Sequence, residues 1–140
     1  MTSRAIMLDT NVVSELMRDS ADAGVARFVR EIETPLMSVI VLHELGFGVE
    51  LLPAGARKSR FAAMIEAVRA QFAGRFVDVN EDDARLSGEL RARVKQRGGK
   101  LDTPDALIAA SALRRSLRLA TRNTRHFANL GIDLVNPWTL

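Results

Sequence analysis

Apolar residues in this chain alternate between short continuous runs and stretches with helical spacing. Ala5-Ile6-Met7-Leu8 is an unbroken apolar run closed by Asp9, the pattern of a short parallel strand buried on both faces. Thr10 or Asn11 can cap a helix over 12–18, and Asp22 a second over 23–32. Pro35 to Val39 reads as the next strand. Leu42, Leu45, Val49 and Leu52 then recur at helical spacing until Pro53 and Gly55 end the helix. Phe61, Met64, Ile65, Val68 and Phe72 mark another amphipathic helix, closed by Gly74. Phe76 to Val79 is strand-like. Glu81, Arg85, Glu89 and Arg93 form an i,i+4 charge ladder, with Leu86, Leu90 and Val94 facing inward and Gly98-Gly99 stopping the helix. Thr103 is the expected cap of the next helix, with Pro104 at its first position. Ala106 to Ala112 is apolar nearly all round, so this helix should be central. Leu117 to Thr121 is a strand, Arg125 to Leu130 a helical turn, and Ile132 to Val135 the last strand.

The order β-α-α-β-α-α-β-α-α-β-α-β predicts an α/β fold, a mostly parallel central sheet with helices on both sides. The 140 residues suit one domain over 1–140, with no repeat and no low-complexity segment. A hydrophobic share of 47% supplies a core and argues against extended disorder. No apolar stretch is long enough to span a bilayer, and the opening MTSRAIMLDTN has no secretory apolar region. The absence of cysteine excludes disulfides and thiolate metal sites. A cytoplasmic location is therefore expected. The net charge of +3 and the pI of about 10.2 come mostly from arginine, lysine occurring only at 58, 95 and 100. Arginine pairs well with phosphates, which makes a nucleic-acid partner plausible, although a solvated surface explains so small an excess equally well.

Three acids stand at strand ends or helix starts in apolar surroundings: Asp9 after the first strand, Glu44 within the run 39–52, and Asp105 in the first turn of the central helix. Taken singly, each has a structural explanation. Asp9 can cap a helix, Asp105 can serve a helix dipole, and Glu44 can point to solvent. Taken together they would repel, and a divalent cation with oxygen ligands, Mg²⁺ or Mn²⁺, would relieve that repulsion. Spacing alone does not bring them together.

The segments MLDTNVVSEL, LHELGFGVELL, LDTPDALIAASALRRSLRLATRN and IDLVNPWTL resemble the PIN-domain ribonucleases of the VapC toxin type, within the FitB-like branch. The resemblance covers essentially the whole chain. It implies a PIN-like parallel sheet flanked by helices, with an acidic pocket at one edge. It also implies positions: Asp9, Glu44 and Asp105 match the first three family acids, and the fourth falls at Asn123, where many relatives carry Asp. An amide adds no charge, which weakens the case for a second metal.

The implied function is a Mg²⁺-dependent endoribonuclease, with Mn²⁺ able to substitute, acting as the toxin of a type II toxin–antitoxin pair. Asp9 and Asp105 would ligate Mg²⁺ directly, and Glu44 through water or as the orienter of an attacking water. Asn123 would help order that shell. Implied partners are RNA, a VapB-type antitoxin whose tail covers the pocket, a second copy of the chain, and operator DNA contacted through the antitoxin. No membrane partner is expected. Thr10, Asn11 and Thr121 are candidates for holding the acids or waters in place, Asn11 being read first as a helix cap. Arg122 and Arg125 are candidate RNA phosphate contacts, with surface arginines as the alternative. Asp102 is read as a neighbour of the helix cap, and Trp138 as packing beyond the last strand. His43 and His126 are the two histidines, and both are read as non-catalytic. The resembled family often places an acid where His126 sits, so His126 could approach the RNA or have no role. Gly46 and Gly48 are read as allowing close helix packing. The alternatives are a non-catalytic nucleic-acid-binding PIN-like module and, last, a phosphatase-like enzyme with Asp9 as nucleophile. The second is disfavoured by Asn11, where that chemistry has a second Asp.

Overall fold

The computed structural model describes residues 5–140 of the chain. The residues before Ala5, part of the opening read above as lacking a secretory region, lie outside the described residues. Five strands pair in parallel in the order β3-β2-β1-β4-β5. They are β1 Ile6–Leu8, β2 Pro35–Ser38, β3 Phe76–Val77, β4 Arg118–Ala120 and β5 Leu134–Val135. The helices are α1 Thr10–Leu16, α2 Ala23–Glu31, α3 Val39–Glu50, α4 Ala56–Gln71, α5 Glu81–Gln96 and α6 Thr103–Arg114, with a 3-10 turn at Thr124–Phe127 between β4 and β5. This is the parallel α/β architecture that the alternating pattern predicts.

Strand order positions the site. From β1 the chain steps outward through β2 to β3, then returns past β1 to β4 and β5. The order therefore reverses between β1 and β4, and ligands of open α/β sheets gather outside the carboxyl ends of strands at such a reversal. Leu8 is in register with Ala120. The residues after them, Asp9 and Thr121, therefore emerge side by side, and the Asp9 N–H extends the ladder to the Ala120 carbonyl at 2.9 Å.

Met7, Leu8, Met37, Leu119 and Ala120 of the strands are fully buried, with Val12 and Val13 from α1, Val41 from α3, Leu90 from α5 and Ile108 from α6 in the same core. Full burial of each larger apolar side chain contributes about 1.5–3 kcal/mol, which is what holds strands this short in a sheet. Helix α6 buries Ala106, Ile108, Ala109, Ala110, Ser111 and Ala112, the central placement expected of it.

Asp22 caps α2 as expected, accepting the Val25 N–H at 3.0 Å. Several other helix starts differ from the expectation because caps, not apolar periodicity, set them. Asp9 is the N-cap of α1, accepting the Thr10 N–H at 2.8 Å, the capping role allowed for it above, and Thr10 and Asn11 lie inside the helix. Ser38 caps α3 through the Ile40 N–H at 3.1 Å, so the helix starts at Val39, ahead of the first periodic leucine. Asp102, not Thr103, is the N-cap residue of α6, which moves Pro104 to the second helical position. Gly74 and Gly98 take φ of +81° and +85° just beyond α4 and α5, left-handed positions that glycine adopts without strain. Gly46 and Gly48 correct the packing expectation: a Cβ at either would meet nothing within 4 Å. The face of α3 between them is open, with Phe47 63% exposed.

Glu81, Arg85, Glu89 and Arg93 are exposed as expected, but among the described residues no ion pair joins them. The strong charge pairing lies one turn away. Asp83 of α5 is fully buried and forms a capping box with Asn80. Its carboxylate accepts two bonds from Arg115 at 2.9 Å and one from Arg114 at 3.0 Å, clasping α5 to α6. Burial alone would raise the Asp83 pKa. The Arg115 guanidinium, the Asn80 N–H and Arg114 outweigh that and hold it at about 2.

Candidate metal centre

Three chain segments deliver the acids. Asp9 is placed by the end of β1, Glu44 by α3 and Asp105 by the first turn of α6. Each offers a carboxylate oxygen, and these oxygens lie within 4.8 Å of one another. Asp9 is buried at 3% exposure, while Glu44 and Asp105 are half-buried. The N-terminus of α6 favours a carboxylate where Asp105 sits.

Neighbouring groups fix the carboxylates. Thr121 donates its hydroxyl to Asp9 Oδ2 at 2.7 Å, and Asn11 Nδ2 donates to the same oxygen at 3.2 Å. Thr10 bridges two acids: its N–H donates to Asp9 Oδ1 and its hydroxyl to Glu44 Oε1, both at 2.8 Å. Asn11 accepts the Arg122 N–H through Oδ1 at 3.2 Å. Thr121 Oγ1 accepts the Asn123 N–H at 3.0 Å. Asn11 is not the expected helix cap, since Asp9 holds that place; it is the second residue of α1, and its amide ties Asp9 to the segment after β4.

Desolvation, with the Glu44 charge adding to it, raises the Asp9 pKa against the bonds from Thr121 and Thr10. Desolvation and the charges of Asp9 and Glu44 push Asp105 up to about 6. Among the described residues no lysine or arginine pairs with any of the three; the basic group that reaches them is His126, with Nδ1 3.5 Å from Asp105 Oδ2. A partly buried anionic cluster of hard oxygen donors, with no lysine or arginine to balance it among the described residues, suits a divalent cation. Such a cation would be held by Asp9, Glu44 and Asp105.

The acids line an open depression of about 570 Å³ together with Asn123, His126, Arg122 and Trp138. Sequence spacing singled out neither His126 nor Trp138 for this place, and both prove to border it. Glu15, also in its wall, escaped notice because an isolated helical glutamate looks solvent-facing. It is buried, and accepts from Arg18 and from the Asp22 N–H. Other candidates lie apart. Arg125 is exposed on the 3-10 turn, His43 is exposed on α3, and neither lines the depression. Asp102 pairs with Lys100 at 3.7 Å.

Residues 6–132 match the PIN domain family. The chain belongs to that family. Its sequence is 38% identical over 136 residues to VapC ribonuclease Y4jK of Sinorhizobium fredii, covering 95% of this chain and 97% of that protein. It is 34% identical over 136 residues to toxin FitB of Neisseria gonorrhoeae, covering 95% and 98%. The structure of FitAB bound to an IR36 DNA fragment matches with a TM-score of 0.85 at 33% identity over 96% of each chain.

Proposed function

We propose that the chain is a Mg²⁺-dependent endoribonuclease, the toxin of a type II toxin–antitoxin pair. The observation that carries this reading is the set of three carboxylates gathered at the sheet reversal with no lysine or arginine paired to them among the described residues. A bound divalent cation would supply positive charge against a phosphodiester in the depression and lower the pKa of a water there. The chain's own residues supply position. Thr121 and Asn11 hold the Asp9 carboxylate, and Thr10 holds Asp9 and Glu44 in one register. The Asp105 carboxyl, pushed up to about 6, is partly protonated just below neutral pH and would give up that proton to a bound cation. Asn123 adds a polar, uncharged rim. Arg122 is the phosphate contact that best fits the site.

Relatives named as ribonucleases and toxins support RNA as substrate and an antitoxin as partner. A homodimer carrying two antitoxins, with operator DNA contacted through them, completes the proposed assembly. No helix among the described residues is long and apolar enough to cross a membrane, and we place the protein in the cytoplasm.

The test is cleavage of single-stranded RNA by the isolated chain. Mg²⁺ should support cleavage, EDTA should stop it, and Asp9→Asn should be inactive. Cleavage that persists in EDTA refutes the metal role, and salt-dependent RNA binding with no turnover in any divalent metal favours the non-catalytic module. Two variants refine the site. Thr121→Val removes the hydroxyl that orients Asp9 and should lower metal affinity or activity by about 10- to 100-fold, read by metal titration of the cleavage rate. Asn123→Asp adds a fourth carboxylate, and the metal concentration needed for half-maximal rate should fall.

A further inference from the structure

The ribonuclease reading leaves the chain's single tryptophan without a role. Trp138 follows β5 and walls the same depression as the acids. Its position is set by a turn: Asn136 Oδ1 accepts the Trp138 N–H at 2.9 Å, and the Asn136 carbonyl accepts the Thr139 N–H at 3.2 Å. Part of the indole packs against the core. The Arg122 guanidinium stands over the ring, 5.1 Å from its centroid. Arg122 is in turn tied to the acids, because Asn11 accepts its N–H and donates to Asp9. Asn11 thus anchors the Arg122 backbone to Asp9, and the Arg122 side chain carries the link on to the indole.

A depression lined by three acids repels a polyanion, so RNA affinity must come from its rim. Proteins grip single strands by stacking unpaired bases on aromatic rings or guanidinium planes beside a positive charge. A duplex keeps its bases stacked on one another and cannot use such a platform. Arginine over an aromatic face is itself favourable, which keeps the pair assembled before RNA arrives.

We propose that Trp138 with Arg122 forms a nucleotide-anchoring subsite, on which an unpaired base next to the scissile phosphodiester stacks. The subsite selects single-stranded over paired RNA. It rests on the ribonuclease reading for the phosphodiester, but base binding is measurable apart from cleavage.

The chain has one tryptophan and no tyrosine, so tryptophan emission reports Trp138 alone. In the Asp9→Asn protein with Mg²⁺, a short single-stranded oligoribonucleotide should quench that emission saturably. The same oligomer annealed to its complement, or lacking bases, should not. In steady-state cleavage, Trp138→Ala should raise KM about 5- to 150-fold with kcat within about twofold, and Trp138→Phe should recover most of the loss. Arg122→Ala removes an exposed side chain, and its loss of preference for base-bearing over abasic RNA, which loss of a phosphate contact alone would leave intact, tests the subsite even if Trp138→Ala folds poorly. Emission unmoved by single strands overturns the proposal, as does an unchanged KM in both Trp138→Ala and Arg122→Ala. Normal RNA affinity in variants that lose a protein partner also overturns it. Saturable quenching of the variant together with no RNA cleavage by the wild type in any divalent metal supports the subsite and refutes the ribonuclease reading. Cleavage without quenching refutes the subsite alone.

Discussion

Replacing Asp105 with asparagine is expected to lower RNA cleavage by at least about 100-fold, beyond what loss of a supporting hydrogen bond brings, while raising the thermal stability of the metal-free protein. Both effects come from one cause. Desolvation and the Asp9 and Glu44 charges push the Asp105 pKa up to about 6, so at pH 7 its ionised form is held against an unfavourable field. An amide of nearly the same shape keeps the first turn of α6 and removes that charge. The gain should be about 2 kcal/mol, or about 4–8 °C in Tm at this chain length.

The pH dependence has a definite sign. An acid whose pKa is raised by folding binds its proton more tightly in the folded state. Metal-free wild-type protein should therefore gain stability as pH falls through about 6, the gain levelling near the ordinary aspartate value of 3.8. Asp9 shifts in the same direction and adds to the trend. Asp105→Asn should flatten the profile. Divalent metal should raise the Tm of the wild type at pH 7 by mass action, and much less so that of the variant. Thermal melts over pH 4–8, with and without metal, check all of this.

The largest loss of stability is expected from Asp83→Ala. The change leaves Arg114 and Arg115 without the carboxylate they share and breaks the capping box at the start of α5. Removing one partner of a buried ion pair costs about 3–5 kcal/mol. Both guanidinium groups keep about 30% exposure, which points to the lower end, about 3 kcal/mol, or a Tm drop of about 6–12 °C. Asp82 makes a neighbouring pair with Arg114 at 3.4 Å but is 66% exposed. Asp82→Ala should change stability by less than about 1 kcal/mol, since an exposed pair contributes little. The contribution of Asp83 is present above its unfolded pKa and disappears as pH falls from about 4 toward 2. Urea unfolding of the two variants at neutral and acid pH separates these expectations.

Element types were legible in the sequence because each buried strand is a short apolar run and each helix a periodic one. Helix starts were less so: Asp22 was legible as a cap, but Ser38 caps through its hydroxyl and Asp102 through backbone conformation alone, and neither carries an apolar signal. Asp83 shows the same limit more sharply. It sits in the run Glu81-Asp82-Asp83, which looks like a solvated helix start, and its burial depends on where α6 places Arg114 and Arg115. The three acids were visible singly, but 34 residues separate Thr10 from the Glu44 it bonds. Only the family resemblance suggested their meeting, and the register of β1 with β4 gives the physical reason that Thr121 joins Asp9. His126 and Trp138 border the site through the turn after β4 and the turn after β5, which spacing along the chain does not reveal.

The most direct measurement is calorimetric titration of Mn²⁺ into the isolated protein at pH 6–7, repeated with Asp9→Asn and Asp105→Asn. If the three carboxylates form a metal centre, the wild type binds Mn²⁺ with release of protons, because Asp105 is partly protonated there, and each variant loses that binding. Absence of binding by the wild type, or binding unaffected by both substitutions, would contradict it.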